Sequence, residues 1–107
     1  MMITPAGQIV DFRITKTLGL VRGNTIRARH IGKDFLAGLK GIVGGEIEEY
    51  TKMIAEAREQ ALDRMRAEAK RLGADAITNV RFSTSYVMGS ASEILAYGNA
   101  VTIEPEN

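Results

Sequence analysis

A glycine pair, Gly44-Gly45, followed by an unbroken helical pattern that stops at Gly73, constrains this fold more than any other feature. A helix over residues 46–72 would be about 40 Å long, more than the width of a small domain. It must therefore lie along a surface of similar length. Glu46, Glu48 and Glu49 crowd its first turn, where negative charge complements the helix dipole. Lys70 and Arg71 close the last turn, and Gly73 is a natural left-handed terminator. Ile47, Tyr50, Ile54, Ala57, Ala61, Leu62, Met65, Ala69 and Leu72 recur at steps of three and four and form one broad stripe. That is the mark of a helix packed on a sheet, and the alanines in it permit close approach. Lys52, Glu56, Glu59, Asp63, Arg66 and Lys70 fill the opposite face. Glu48 with Lys52, and Asp63 with Arg66, are spaced for intrahelical ion pairs.

The flanks supply the sheet. Pro5-Ala6-Gly7 signals a turn, which makes residues 1–4 a frayed tail or a short edge strand. Residues 9–17 are rich in β-branched and aromatic types and read as a strand. Gly23-Asn24 is expected to be a tight turn leading to another strand at 25–28, so this third of the chain reads as a twisted hairpin or bulged ribbon. Asp34 can cap a short helix over 35–40. Beyond Gly73, residues 76–88 alternate, with Thr78, Val80, Phe82, Thr84 and Tyr86 on one face and Ile77, Asn79, Arg81, Ser83 and Ser85 on the other. Gly89-Ser90-Ala91-Ser92 makes a turn, and 93–103 returns as the last strand. That strand is apolar on both sides: Ile94, Ala96 and Ala100 on one, Leu95, Tyr97, Val101 and Ile103 on the other. A two-layer fold normally leaves one sheet face to water. One helix cannot cover both, so another copy of the chain is expected on the second face. The final residues, 104–107, are expected to fray.

Composition excludes several function classes. The chain has 107 residues, room for one domain and one core. Fourteen basic residues against 13 acidic ones give a net charge of +1, which provides no electrostatic basis for nucleic-acid binding. Arg22, Arg27, Arg29, His30 and Lys33 cluster in sequence, a pattern read as a solvated loop or edge strand. The absence of cysteine removes disulfides, thiolate catalysis and thiolate metal sites. No secretory signal precedes the first strand and no segment reaches the ~20 apolar residues of a membrane span. A soluble, cytoplasmic protein that does not engage membranes is expected.

Candidate chemical residues are few. Arg58 falls in the apolar stripe among Ile54, Ala61, Leu62 and Met65, where its charge would require a carboxylate, carbonyl groups or a wet channel. That makes it a helix-to-sheet or subunit-to-subunit tie, with ligand binding as the sharper alternative. Arg81 is a second cation able to orient an anionic ligand, and Tyr97 a third ligand-binding candidate. Gly44 and Gly45 precede a helix N-terminus, in principle an anion site, although three glutamates there would repel phosphate. His30 is the single histidine, and with Glu46 and Glu93 it forms the only weak metal-ligand set. No catalytic residue pair stands out, so no enzyme activity and no cofactor is expected.

The motifs G-L-V-R-G at Gly19, F-L-A-G-L-K-G-I-V-G-G-E at Phe35, Y-T-K-M-I-A-E-A-R-E-Q-A-L at Tyr50, G-A-D-A-I at Gly73 and A-Y-G-N-A-V at Ala96 resemble the YbjQ-like family, a family labelled as heavy-metal-binding. The match runs through nearly the whole chain in order. It implies a compact α+β subunit of β-α-β-β type, an antiparallel sheet packed by one long helix in the manner of a dodecin subunit. It also implies assembly into a ring, a pentamer. Where the family carries G-T-A-V near its end, this chain carries G-N-A-V, with Asn99 in place of threonine. The expectation is a ring-forming, non-enzymatic scaffold for a small ligand or partner. The alternatives are metal binding at subunit junctions and an enzyme site shared between subunits.

Overall fold

The computed structural model describes residues 1–28, 45–87 and 91–106, with side chains at 1–26, 52–85 and 93–106. Strands β1 (Met2–Ile3), β2 (Phe12–Ala28), β3 (Ala76–Val87) and β4 (Ala91–Pro105) and helix α1 (Gly45–Arg71) build an α+β pair of layers. The sheet order is β1-β3-β4-β2. Both β2 and β3 run antiparallel to β4, as expected. The sheet is nevertheless mixed, because Met2 and Ile3 pair in parallel with Ala76 and Ile77. Residues 1–4 thus supply an edge strand. The expected helix over 35–40, with Asp34 as its cap, lies outside the described residues, as do Gly89 and Ser90 of the expected turn.

The expected hairpin in the first third is a single strand of 17 residues. Gly23 and Asn24 do not turn; they pair straight across to Ala96 and Leu95. Gly23 is glycine because α1 crosses β2 there. A Cβ at this position would lie 2.3 Å from the Ala61 carbonyl oxygen and 2.4 Å from the Met65 nitrogen. Register shifts between Ile14 and Lys16, and between Thr17 and Gly19, show that the ribbon is bulged.

The alternation in β3 is also broken by a bulge. Asn79 has φ 54°, and the register shifts between Thr78 and Arg81. The parity of the strand therefore flips. Ile77 joins Val80 in the core beneath the helix, whereas the sequence pattern had set them on opposite faces. In β4 the reading holds: Ile94, Ala96 and Ala100 are buried with the helix, and Val101 is buried on the other face with Ile9 and Ala76. The C-terminus is less frayed than expected, since β4 runs to Pro105 and Glu106 N–H donates to the Asp11 carbonyl at 2.9 Å.

Helix α1 buries a narrow row. Ala57, Ala61, Met65 and Ala69 are at 0% exposure, four residues apart, while Leu72 is 45% exposed. Three alanines in that row let the backbone settle onto β2 at Gly23. Gly73 ends the helix at φ 85°: its N–H bonds the Lys70 carbonyl and the Ala74 N–H bonds that of Ala69, each at 3.0 Å. This is the paired bonding of a Schellman motif. The Arg66–Asp63 ion pair forms at 2.9 Å.

Beneath the helix, the Thr25 hydroxyl is buried with no hydrogen-bond partner among the described residues. An unmet buried hydroxyl costs about 1–3 kcal/mol. Thr25→Val keeps the shape and removes the polar atom, so it should stabilise the protein by about 1 kcal/mol. Urea unfolding at fixed protein concentration reads this directly; a destabilised T25V would reveal a hidden partner.

The subunit is elongated. Its Cα radius of gyration is 17.5 Å, against about 13 Å for a compact domain of this length.

Candidate functional site

Only one face of the sheet is covered by α1. On the other, the turn from Pro5 to Asp11 folds back, with Phe12 N–H bonded to the Ile9 carbonyl at 3.1 Å. Ile9 seals Ala76 and Val101, with Phe12 and Ile103 packed alongside. That plug covers one end of the face. The other end is open among the described residues, and Leu20 is 60% and Ile26 58% exposed there.

The register sets a row of side chains across this open end. Arg22 on β2 pairs with Tyr97 on β4, and Tyr97 pairs with Arg81 on β3. Directly paired residues share a face and lie within side-chain reach of one another. Tyr97 is half-buried and both arginines are exposed. One Arg81 nitrogen donates to the Pro5 and Val80 carbonyls, each at 2.9 Å, which fixes that guanidinium beside the plug. Asn24, in the next row, donates to Glu93 at 3.0 Å. Two cations flanking one aromatic ring, edged by Leu20, Ile26 and Leu95, form a surface suited to an anion with an apolar part.

Two of the expected ligand residues, Arg81 and Tyr97, are thus brought together. Arg58 is not with them. It is exposed on α1 and has no partner among the described residues, a correction to its expected place inside the stripe. The buried row is only one residue wide per turn, so Arg58, rotated about 100° from Ala57, reaches water instead. The arginine that ties helix to sheet is Arg64, whose guanidinium donates to the Asn24 carbonyl. Gly45 opens α1. Gly44, His30 and the side chain of Glu46 lie outside the described residues. Arg22 was missed as a partner of Tyr97 because a turn at Gly23-Asn24 would have separated them. Reading 12–28 as one strand would have exposed the pairing.

Two recesses lie elsewhere. One of about 400 Å³ sits at the N-terminal turn, between Gln8, Val10, Arg13 and Glu106. The other is an open furrow on the outer face of α1, edged by Lys52, Glu56, Glu59 and Asp63. Neither gathers a nucleophile with a base.

Among the described residues, fold and surface define a class: a small α+β domain with one helix laid across a four-stranded mixed sheet and one end of the far sheet face open. The chain belongs to the YbjQ-like, or UPF0145, family. The family model, described as "Putative heavy-metal-binding", matches residues 1–104. A UPF0145 protein of Dehalococcoides mccartyi is 62% identical over 104 residues, 97% of this chain and 100% of that one. One of Methanosarcina acetivorans is 56% identical over 103 residues, covering 96% and 97%. One of Thermus thermophilus is 50% identical over 105 residues, covering 98% and 92%. A crystal structure of a DUF74-family protein of unknown function from Pediococcus pentosaceus aligns with TM-score 0.64 at 18% identity, over 97% of this chain and 98% of that one. It shares the fold.

The described residues do not fit the metal that the family label suggests. They hold no group of three His, Asp or Glu side chains placed to bind an ion. Glu93 is engaged by Asn24, and cysteine is absent from the whole sequence. No helix among the described residues is long and apolar enough to cross a membrane.

Proposed function

We propose that this protein is a non-enzymatic homo-oligomer, a ring of the pentameric kind the family resemblance implies, that binds a small anionic ligand on its open sheet face. The observation that carries the reading is the Arg22–Tyr97–Arg81 row lying among exposed Leu20 and Ile26. Exposed aliphatic side chains on a sheet face favour association or ligand burial. Paired guanidinium groups beside an aromatic ring favour carboxylate or phosphate groups carried on an apolar body.

A thermal-shift screen of small aromatic and aliphatic carboxylates and phosphates tests this, with light scattering to establish the mass. The expected mass is a multiple of 11.7 kDa. A binder at about one hundred times its Kd should add roughly 2.7 kcal/mol of apparent stability. Arg22→Ala and Tyr97→Ala should abolish that gain, while Arg58→Ala should retain it. Equal response from all three variants would defeat the assignment.

A further inference from the structure

The Arg22–Tyr97–Arg81 row carries two positive charges that no carboxylate among the described residues answers. The ion pairs found among those residues are Arg13–Glu104 and Arg66–Asp63, and neither includes an arginine of the row. Glu93 is the acidic residue of this end of the face, two rows further along, and its carboxylate accepts from Asn24. Strands in a sheet stand about 4.8 Å apart, so the Cα atoms of Arg22 and Arg81 are held about 10 Å apart across β4. Tyr97, half-buried, is the residue between them.

The backbone ties of Arg81 keep the two guanidinium groups apart. Its Nη1 donates to the Pro5 and Val80 carbonyls. Pro5 lies between Thr4 and Ala6, whose backbones bond Ile77, Asn79 and Val80 on the side of β3 away from β4. Arg81 is therefore drawn away from Arg22 and does not converge with it on one point. A guanidinium holds five N–H donors in one plane. With both donors of Nη1 committed to carbonyls, that plane is fixed before a ligand arrives, and the Nε–Nη2 edge remains. This edge presents two parallel N–H groups, the fork that matches a carboxylate at two points.

We infer that the ligand of the open face is a small dicarboxylate, with one carboxylate on Arg81, the other on Arg22 and the hydrocarbon spacer over Tyr97. This rests on the reading of that face as an anion site and narrows it to one chemical class. A single carboxylate satisfies one guanidinium and leaves the second charge unanswered. A compact ion such as phosphate likewise engages one of the two. A diacid answers both, and its spacer meets Tyr97 and the neighbouring Leu95 on the same face of β4.

Isothermal titration calorimetry at neutral pH and fixed salt tests this, using the diacids from succinate to suberate and the monomethyl ester of each. The ester keeps the length and the apolar body and removes one charge. The best diacid of the series should bind at least about tenfold tighter than its own half-ester. Arg22 is exposed, so Arg22→Gln should leave the melting temperature of the free protein unchanged while the diacid falls to the affinity of the half-ester. Arg58→Gln removes a positive charge elsewhere and should retain the preference. Diacid and half-ester binding alike, or a preference that survives Arg22→Gln, overturns the dicarboxylate and leaves the anion site standing. Tighter binding of benzoate or inorganic phosphate than of any diacid does the same. No binding of any diacid, half-ester, benzoate or phosphate removes the anion site and the dicarboxylate with it.

Discussion

Gly23→Ala is expected to destabilise the protein by about 3 kcal/mol or more, at or beyond the upper end of the usual range for overpacking. The added methyl would stand 2.3 Å from the Ala61 carbonyl oxygen and 2.4 Å from the Met65 backbone nitrogen. Both are main-chain atoms of α1, so no side-chain rotation can make room. The helix must lift from β2 and loosen Ala57, Ala61, Met65 and Ala69, which are fully buried. For a domain near this size, such a loss lowers the melting temperature by more than about 10 °C. Calorimetry at fixed protein concentration checks it. A melting temperature within about 2 °C of wild type would mean that the helix does not rest on Gly23.

Met65→Ala is expected to cost about 3 kcal/mol. Met65 is the one large side chain in the fully buried helical row, and its neighbours along that row are alanines. They cannot expand into the space left behind, so the cavity persists and its cost adds to the lost transfer free energy. Met65→Leu nearly conserves volume and should cost under about 1.5 kcal/mol. Denaturant unfolding of the pair separates a packing role from a merely apolar one. Equal losses for both would indicate that the shape of methionine, and not its bulk, is what the site requires.

The helix and the last strand were legible because their signals are local. Gly73 has the positive φ that its place after Lys70-Arg71 suggested, and the four-residue spacing of Ala57, Ala61, Met65 and Ala69 is the face that packs. Alternation in β4 assigned both of its faces correctly because the strand carries no bulge from Ile94 to Ala100. The misreadings each arose where a distant element set the outcome. Gly23 has the appearance of a turn residue, yet it is required by α1 crossing above it. Asn79 sits at φ 54° and shifts the parity of β3, which no alternation pattern can report from within the strand. Arg58 looked embedded on a helical wheel, but the wheel cannot say how wide the contact with the sheet will be.

The candidate site follows the same division. Tyr97 and Arg81 drew notice as residue types, while their juxtaposition with Arg22 depends on two strand registers.

The amino-acid sequence by itself determined the long helix with its stop, the two strands that follow it, and an apolar last strand with too much greasy surface for one helix to cover. These follow from periodicity and end signals within a few turns of chain. Only the tertiary structure decided which residues share the open face, because bulges and register depend on pairings between strands far apart in sequence. It also decided where the N-terminal segment stops bonding to the outer side of β3.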